Sequence, residues 1–398
     1  MKTLMLKKSS IIESWPIFSK EEIQAVSDVL HSGRVNYWTG EQGKLFEQEF
    51  ADYIGCKYAV ALANGTLALE LVLNVLGIGS GDEVIVPSRT FIATASAVVA
   101  RGAKPVIADV DRESGNITIE TIEMVRTTRT RAIIVVHLGG WPCDMGAIMP
   151  YARKHNLLVV EDCAQAHGAK YKGRKVGSFG DAAAFSFCQD KIMTTGGEGG
   201  MVTTNDRNLW SRMWSYKDHG KSWEAVYEVN HPPGFRWLHE SFGSNLRMTE
   251  MQSAIGRVQL RKMPKWHSMR KHNAEAIMAA CDDFPSCLRV PRSPAYVEHA
   301  WYKCYVFVRP KAFKRGWDRN RIMSEIEALG VPCFAGSCSE IYLEKAFDGS
   351  GFRPKKRLPV AKELGETSLM FLVHPSLTKD QIEMTCSVIR NVMMKAAR

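Results

Sequence analysis

The segment from Val159 to Gly200, VVEDCAQAHGAKYKGRKVGSFGDAAAFSFCQDKIMTTGGEGG, contains the features around which the rest of the chain is organised. An apolar strand pattern ends in Asp162, a second apolar strand pattern ends near Ser186, and Lys191 follows shortly before a run of glycines. Charged side chains at the ends of apolar strands are rarely buried unless they are paired or chemically active. This pattern marks Asp162 and Lys191 as candidate functional residues.

An amine and an acid in this arrangement are what pyridoxal phosphate requires. The cofactor forms a Schiff base with an amine, and an acid keeps its ring nitrogen protonated. A partly desolvated lysine can supply the neutral amine, and a carboxylate beneath the ring can hold the proton. Each residue also has a plain structural alternative, because Lys191 fits a surface turn and Asp162 fits a helix cap or an arginine partner.

The stretch before this segment predicts an α/β fold. Runs rich in valine and isoleucine at 58–63, 83–87, 105–110, 132–137 and 157–162 alternate with helical patterns at 66–76, 91–101, 119–127 and 145–155. Such alternation predicts a mostly parallel sheet that is covered by helices on both faces. Ligands bind beyond the carboxyl ends of such strands, so segments 64–66, 88–91, 137–140 and 162–165 are expected along one rim.

The flanking regions suggest two domains. Ser19 and Glu22 fit a capping box, which predicts an N-terminal helix over 19–31. A long helical pattern begins near residue 247 and runs toward Cys281. Beyond it lie two apolar strands at 303–308 and 368–372, and helices at 319–329 and 379–395. We therefore expect a large domain over 1–260 and a smaller α+β domain over 261–398.

A phosphate site is expected where the first strand meets its helix. Gly65 would let an anion approach the helix N-terminus, and Thr66 would add a hydroxyl. Gln165 lies on the same expected rim and could donate to the phenolic oxygen of the cofactor. An ordinary helix cap and a solvated loop amide are the alternatives.

Composition excludes several classes of function. The chain of 398 residues has 45% hydrophobic and 24% charged residues, no apolar run long enough for a membrane span, and a formal charge of +10 that is dispersed along the sequence. We expect no nucleic-acid partner, no membrane insertion and no metal site, because the ten cysteines show neither pairing nor zinc spacing. The basic N-terminus lacks a leader pattern, so the expected location is the cytoplasm.

Many motifs in order resemble one family. The chain is similar to the DegT/DnrJ/EryC1/StrS family of pyridoxal-phosphate sugar aminotransferases over most of its length, and the similarity fades in the last hundred residues. The matching motifs are WTG (38–40), LFEQEFADYIG (45–55), GDEVIVP (81–87), TFIAT (90–94), EDCAQAHG (161–168), FSF (185–187), GEGGM (197–201), KDHG (217–220) and NLRMTEMQSA (245–254). The resemblance implies fold type I, with a three-layer large domain and a smaller C-terminal domain.

The resemblance also implies a role for each matching site residue. Lys191 would bond the cofactor and then move the proton, while Asp162 would hold the pyridine nitrogen and Gln165 the phenolic oxygen. Phe91 would stack on the ring. The phosphate would be bound by Gly65, Thr66 and Ser186, and by Asn245 of the partner subunit, which makes the expected enzyme a homodimer with shared active sites.

The implied reaction moves an amino group from an amino acid, with L-glutamate as the leading donor, to a keto sugar. The leading acceptor is a nucleotide-linked 4-keto-6-deoxyhexose for surface polysaccharide. Alternatives are a 3-keto sugar and an acidic keto sugar of the 8-oxo-octulosonate type, which would give an 8-amino sugar acid of lipopolysaccharide. A pyridoxal-phosphate sugar dehydratase and a non-catalytic regulator are further alternatives, and the presence of Lys191 counts against both.

Departures from the family pattern leave the sugar open. An extra glycine precedes GEGG, and the HLGG motif at 137–140 lacks a frequent tyrosine; both departures lie near the expected substrate side. Asn64 stands where many relatives have serine, a change that the expected phosphate site tolerates. Tyr37, Trp38, His219 and Ser337 are candidate substrate contacts in loops, and each fits packing or surface equally well.

Overall fold

The computed structural model describes residues 15–398. The expectation of no leader peptide concerns the start of the chain, most of which lies outside the described residues. The α-helices are α1 (Lys20–Ser32), α2 (Gln42–Ile54), α3 (Gly65–Val75), α4 (Ala93–Ala100), α5 (Ile119–Glu123), α6 (Met145–Lys154), α7 (Arg207–Lys217), α8 (Trp223–Tyr227), α9 (Glu250–Asp282), α10 (Arg319–Ala328), α11 (Pro359–Thr367) and α12 (Lys379–Ala396). The strands are β1 (Tyr58–Leu62), β2 (Glu83–Pro87), β3 (Lys104–Ala108), β4 (Thr130–Val136), β5 (Leu158–Asp162), β6 (Lys170–Tyr171), β7 (Arg174–Lys175), β8 (Ala182–Ser186), β9 (Gly200–Thr204), β10 (Leu288–Arg289), β11 (Val297–Glu298), β12 (Cys304–Val308), β13 (Cys333–Phe334) and β14 (Ser368–Phe371).

The central sheet has seven strands in the order β1-β9-β8-β5-β4-β2-β3. Strands β3, β2, β4, β5 and β8 pair in parallel, and only β9 runs against its neighbours β8 and β1. The predicted mostly parallel sheet is confirmed. Six of the seven strands therefore end at the same edge, and the segments that follow them can meet there.

Both faces of this sheet are buried. Val84 and Val86 face a core that includes α3, α4 and α7, while Ile85 between them faces a second core with α6. Successive side chains of a strand point to opposite faces, so a strand that is covered on both faces must be apolar at every position. This explains why the β-strand runs in the sequence are continuous rather than alternating.

Two helices outside the sheet follow their sequence signals. Ser19 caps α1 through a complete capping box with Glu22, as predicted, and Gly33 ends the helix in the left-handed region with a φ of 67°. Helix α9 continues without interruption past residue 260, from a capping box at Thr249 to Asp282. The expected domain division at 260 thus falls inside a helix, and it stays a prediction.

The C-terminal part contains an antiparallel sheet in the order β10-β12-β14-β13. It packs with the second half of α9, α10 and α12 around a separate buried core. The sequence pattern predicted β12 and β14 but missed β10 and β13, and it also missed the small sheet of β11, β6 and β7 and the helices α8 and α11. Elements of two residues have no periodicity to detect.

No helix in the described part of the chain combines the length and the hydrophobicity of a membrane span. All ten cysteines lie within residues 15–398, and each is a free thiol. Eight of them are buried, as expected for packed thiols.

Candidate active site

A pocket of about 820 Å³ opens at the carboxyl edge of the central sheet. Seven of the eight predicted site residues line it: Gly65, Thr66, Phe91, Asp162, Gln165, Ser186 and Lys191. They come from four segments at the ends of different strands, so only the fold brings them together. The eighth residue, Asn245, does not line this pocket.

Asp162 is the last residue of β5 and is only 6% exposed. One carboxylate oxygen accepts the Thr94 hydroxyl at 2.9 Å, and the other accepts the Ala164 N–H at 3.1 Å. Burial raises the pKa of Asp162, while these two hydrogen bonds and the charge of Lys191 oppose the rise. A carboxylate that is held in this way is well suited to pair with a cationic ring nitrogen.

Lys191 reaches the opposite wall of the pocket. Its Nζ lies 3.4 Å from the Tyr302 hydroxyl and 3.5 Å from a carboxylate oxygen of Asp190. Tyr302 donates its own hydroxyl to Asp190. Burial, followed by the Asp190 charge, raises the pKa of Tyr302, so its hydroxyl keeps its proton. The lysine amine is therefore held by polar groups while it stays in contact with the pocket.

The start of α3 has the geometry that a helix-end anion site needs. The Asn64 side chain caps the helix by accepting the Leu67 N–H at 2.9 Å, which leaves the N–H groups of Gly65 and Thr66 at the helix end. A Cβ atom on Gly65 would lie 2.6 Å from the Cβ of Ser186. Glycine is therefore required at 65, and the close approach brings Ser186 beside the helix end. The asparagine at 64, a departure from the family pattern, acts as an ordinary N-cap.

Gln165 is oriented by the HLGG segment. Its Oε1 accepts the Gly139 N–H at 2.8 Å, so its amide N–H₂ remains available for a pocket ligand. The Gly139 carbonyl in turn accepts the N–H of Tyr302 at 3.0 Å. Gly139 has a φ of 62°, and a Cβ there would lie 3.0 Å from the Tyr305 ring. The ring of Tyr305 thus occupies the space that a side chain at 139 would need.

Phe91 and Ser337 are the remaining predicted residues on the pocket wall. Phe91 is 67% exposed, which leaves its ring face accessible to a ligand. Ser337 donates its N–H to the Tyr305 hydroxyl at 2.9 Å, and Tyr305 donates back to the Ser337 hydroxyl at 3.1 Å. Ser337 was a candidate substrate contact from the sequence, and in the structure it lines the pocket next to Tyr305.

Other candidates lie away from the pocket. Tyr37 is 2% exposed and donates to Glu47 at 3.0 Å, so it is a core residue, and Trp38 packs against the same core. His219 and Asn245 are exposed, and Asn245 forms an isolated β-bridge with the buried Asp218, the residue before His219. Within one chain these four residues do not line the pocket.

Several residues that line the pocket were not predicted from the sequence, among them Asp190, Tyr302, Lys303 and Tyr305. Three of them precede or belong to β12, more than 100 positions after Lys191. One signal was present, because Lys303 is a lysine at the start of an otherwise apolar strand. Asp190 adjoins Lys191 in the sequence and could have been noticed as its partner.

These residues fit pyridoxal phosphate. The pocket offers an amine, a buried acid, an amide donor and a helix N-terminus whose first residue can only be glycine. His137, Glu161 and Cys163 also lie close together, but His137 already bonds Glu161 at 3.1 Å and the Cys143 N–H at 2.9 Å. Glu161 further accepts the N–H groups of residues 177, 179 and 180. The imidazole of His137 and the carboxylate of Glu161 are therefore already engaged in hydrogen bonds within the protein.

Comparison with known proteins agrees with this geometry. Residues 16–390 match the DegT/DnrJ/EryC1/StrS aminotransferase family. GDP-perosamine synthase of Caulobacter vibrioides is 46% identical over 364 residues, which cover 90% of this chain and 92% of that protein. The dTDP-3-amino-3,6-dideoxy-alpha-D-galactopyranose transaminase of Aneurinibacillus thermoaerophilus is 43% identical over 369 residues, which cover 92% and 93%.

A solved structure gives the same result. The X-ray structure of an aminotransferase from Psychrobacter cryohalolentis has 59% sequence identity and a TM-score of 0.95, and the match covers 96% of this chain and 99% of that chain. The expected fold type I and the expected cofactor, pyridoxal phosphate, are confirmed. The chain belongs to the DegT/DnrJ/EryC1/StrS aminotransferase family and is a pyridoxal-phosphate-dependent sugar aminotransferase.

Proposed function

We propose that this enzyme transfers the amino group of an amino acid, with L-glutamate as the leading donor, to the keto carbon of a nucleotide-linked 4-keto-6-deoxyhexose. The observation that carries the chemistry is the meeting of Lys191 and Asp162 in one pocket with the start of α3. The name of the 46% identical relative, GDP-perosamine synthase, supports a nucleotide-linked sugar. We further propose that the product serves surface polysaccharide and is made in the cytoplasm.

A second acceptor is a nucleotide-linked 3-keto sugar. The 43% identical relative is named as a dTDP-3-amino sugar transaminase, so one relative of similar distance carries amination at position 3 in its name. Both names carry a nucleotide, which favours these acceptors over an acidic octulosonate. The intact Lys191 favours transamination over dehydration or regulation.

The proposed roles follow from the contacts in the pocket. The bound cofactor supplies an electron sink for the carbon that loses its proton. Lys191 Nζ takes the α-proton of the donor and later returns a proton to the sugar carbon. The Asp162 carboxylate keeps a proton on the ring nitrogen, and the Gln165 N–H₂ donates to the phenolic oxygen.

The phosphate is assigned to the end of α3. The N–H groups of Gly65 and Thr66, together with the hydroxyls of Thr66 and Ser186, would bind its oxygens. Phe91 would cover one face of the ring. These contacts orient the cofactor and exclude water, while Lys191 alone moves protons.

We propose a homodimer in which Asn245 of the partner subunit completes the phosphate site. Asn245 is exposed, and the ten residues before it in the chain include three aromatic side chains that are largely uncovered, Phe235 (77%), Trp237 (84%) and Phe242 (101% exposed). Large exposed aromatic groups mark interaction surfaces. A second copy of the chain is the proposed partner, because it would also explain why Asn245 does not line the pocket of its own chain.

A substrate screen tests the proposal. Holoenzyme is mixed with L-glutamate and a panel of 4-keto and 3-keto nucleotide sugars and 8-oxo sugar acids, and 2-oxoglutarate is measured. We expect turnover with 4-keto-6-deoxy nucleotide sugars and none with Lys191→Ala, which also lacks the visible absorbance of the lysine-bound cofactor. Turnover of only a 3-keto sugar or only a sugar acid would show that the proposed 4-keto acceptor is wrong. A protein that stays colourless with added cofactor would contradict transamination.

A further inference from the structure

Lys303 places a second amine in the active-site pocket, beside Lys191. The N–H groups of Tyr302 and Lys303 donate to the Gly139 carbonyl at 3.0 and 3.4 Å, which fixes the backbone at this point. The Nζ atoms of Lys303 and Lys191 lie 4.7 and 5.1 Å from the centre of the same ring, that of Tyr302. The two amines therefore share one aromatic side chain, that of Tyr302, on the wall of the pocket.

The charge of Lys303 has no direct partner within residues 15–398. Asp190 is the nearest carboxylate in this network, but its two oxygens already face the Tyr302 hydroxyl and Lys191. Lys303 makes no side-chain hydrogen bond or ion pair with the described residues, and its only polar side-chain contact is with the ring face. A half-buried cation without an anion is costly, so a substrate anion that reaches it gains more than it would in water.

We infer that Lys303 binds the α-carboxylate of the amino-acid donor. The inference rests on the proposed function and assigns a substrate group to that same site. The donor must place its α-carbon at Lys191 Nζ, because this atom takes the proton, and the carboxylate is bonded directly to that carbon. The phosphates of a nucleotide sugar are bonded to C1, which is separated from a 3-keto or 4-keto carbon by at least one further ring carbon.

This assignment separates the two half-reactions. A keto sugar has no carboxylate at the reacting carbon, so it gains nothing from the charge of Lys303. Loss of that charge should therefore weaken the donor half-reaction and leave the sugar half-reaction nearly unchanged. Tyr302 acts as a positioning residue, because its ring contacts the Lys303 amine while its hydroxyl is bonded to Asp190.

The variants Lys303→Met and Lys303→Arg test the assignment in the holoenzyme, with the exposed Lys311→Met as the matched control. Single-turnover loss of the cofactor's visible absorbance is followed against L-glutamate concentration. For Lys303→Met we expect the half-saturating glutamate concentration to rise about ten- to hundredfold, the range of a charge-assisted hydrogen bond. For Lys303→Arg and Lys311→Met we expect values within about threefold of the parent.

The reverse arm starts from enzyme that is loaded with the aminated cofactor and mixed with keto sugar. We expect Lys303→Met to match the parent in this arm. Unchanged glutamate saturation, or a loss that falls mainly on the nucleotide sugar, would overturn the assignment. If no amino acid removes the visible absorbance of the cofactor in the parent enzyme, the proposed function itself is contradicted.

The pH dependence provides a measurement that needs only the arginine variant. Burial, the charge of Arg270 and the charge of Lys191 lower the pKa of Lys303 to about 8, while Asp190 opposes the shift. The parent should lose glutamate affinity as the pH rises through 8, and Lys303→Arg should lose less, because arginine stays protonated. Identical pH profiles for the two proteins would count against the role of Lys303. This comparison remains possible even where Lys303→Met does not fold.

Discussion

The indole Nε1 of Trp15 donates a hydrogen bond of 2.7 Å to the main-chain oxygen of Lys191. Trp15 packs edge-on against Trp266 at 5.1 Å and stacks near His374 at 6.0 Å. The guanidinium of the buried Arg270 lies 5.2 Å from the indole. The segment before α1 therefore packs against α9 and holds the backbone of Lys191, the lysine that we propose carries the chemistry.

Trp15→Phe should lower kcat about three- to tenfold. The change keeps an aromatic ring against Trp266 but removes the donor to Lys191, and one hydrogen bond of this kind has a modest net free energy. Cofactor content and the KM for the sugar should stay within about twofold of the parent. Steady-state kinetics and absorbance measure these quantities, with Trp317→Phe, an indole in the C-terminal core region, as control. An unchanged kcat would show that the bond does not position Lys191.

Asp162→Asn should slow the donor half-reaction about a hundred- to thousandfold, because the amide keeps the shape and loses the charge opposite the ring nitrogen. Thr94→Val removes only the hydroxyl that donates to Asp162 at 2.9 Å and should cost less than about tenfold. Single-turnover absorbance measures both rates. Equal losses for the two variants would mean that the hydrogen-bond network, rather than the charge, matters.

The same substitution has a pH signature in the cofactor-free protein. Burial raises the pKa of Asp162 above its ordinary value, so the folded state favours the protonated acid. The contribution of this group to stability is fully present below the ordinary pKa and is lost as the pH rises through the folded-state pKa. Asp162→Asn should therefore gain stability relative to the parent between acidic and neutral pH. Urea unfolding at pH 4 and pH 7 checks this, and a larger gain at pH 4 would contradict it.

Gly65→Ala should weaken cofactor binding at least about tenfold. The added Cβ would meet the Ser186 Cβ at 2.6 Å, so the start of α3 must move away from the phosphate site. Gly79→Ala is the matched control, because its Cβ has no neighbour closer than 3.9 Å and its backbone lies outside the left-handed region. Titration of cofactor-free protein with pyridoxal phosphate measures the affinity. Equal affinity of both alanine variants for pyridoxal phosphate would show that the phosphate does not bind at the start of α3.

Mixtures of Asn245→Ala and Lys191→Ala subunits test the shared site. If Asn245 serves the partner's pocket, a hybrid dimer has one intact pocket and one that carries both lesions. An equal mixture that is unfolded and refolded together should then recover roughly a quarter of the parent activity. Each variant refolded alone is the control. If the activity of the mixture does not exceed the average of the two controls, Asn245 contributes to the pocket of its own chain.

The central sheet and most of the candidate pocket could be predicted because their signals are local. Continuous apolar runs correspond to strands that are buried on both faces, and polar residues directly after those runs must meet at one edge when the strands are parallel. Asp162, Ser186 and Lys191 follow from this rule. The roles assigned to them came from the family resemblance and await the experiments above.

The opposite wall of the pocket could not be predicted in this way. Tyr305 lies on β12 of the other sheet, and Tyr302 and Lys303 directly precede that strand. They line the pocket because Gly139 and Gly140 let the segment before β12 approach. Their sequence context is an ordinary apolar strand. Trp15 is a further case, since its bond to Lys191 spans 176 positions.

The sequence by itself therefore determined the sheet, the rim at its carboxyl edge and the chemical identity of the amine and acid. Tertiary structure decided that Tyr302 faces the Lys191 amine from the other side of the pocket. It also decided that Tyr37 is buried in the core and that Asn245 is exposed. The physical reason is that periodicity and capping depend on neighbours within a few residues, whereas the facing wall depends on backbone contacts between distant segments that no local pattern encodes.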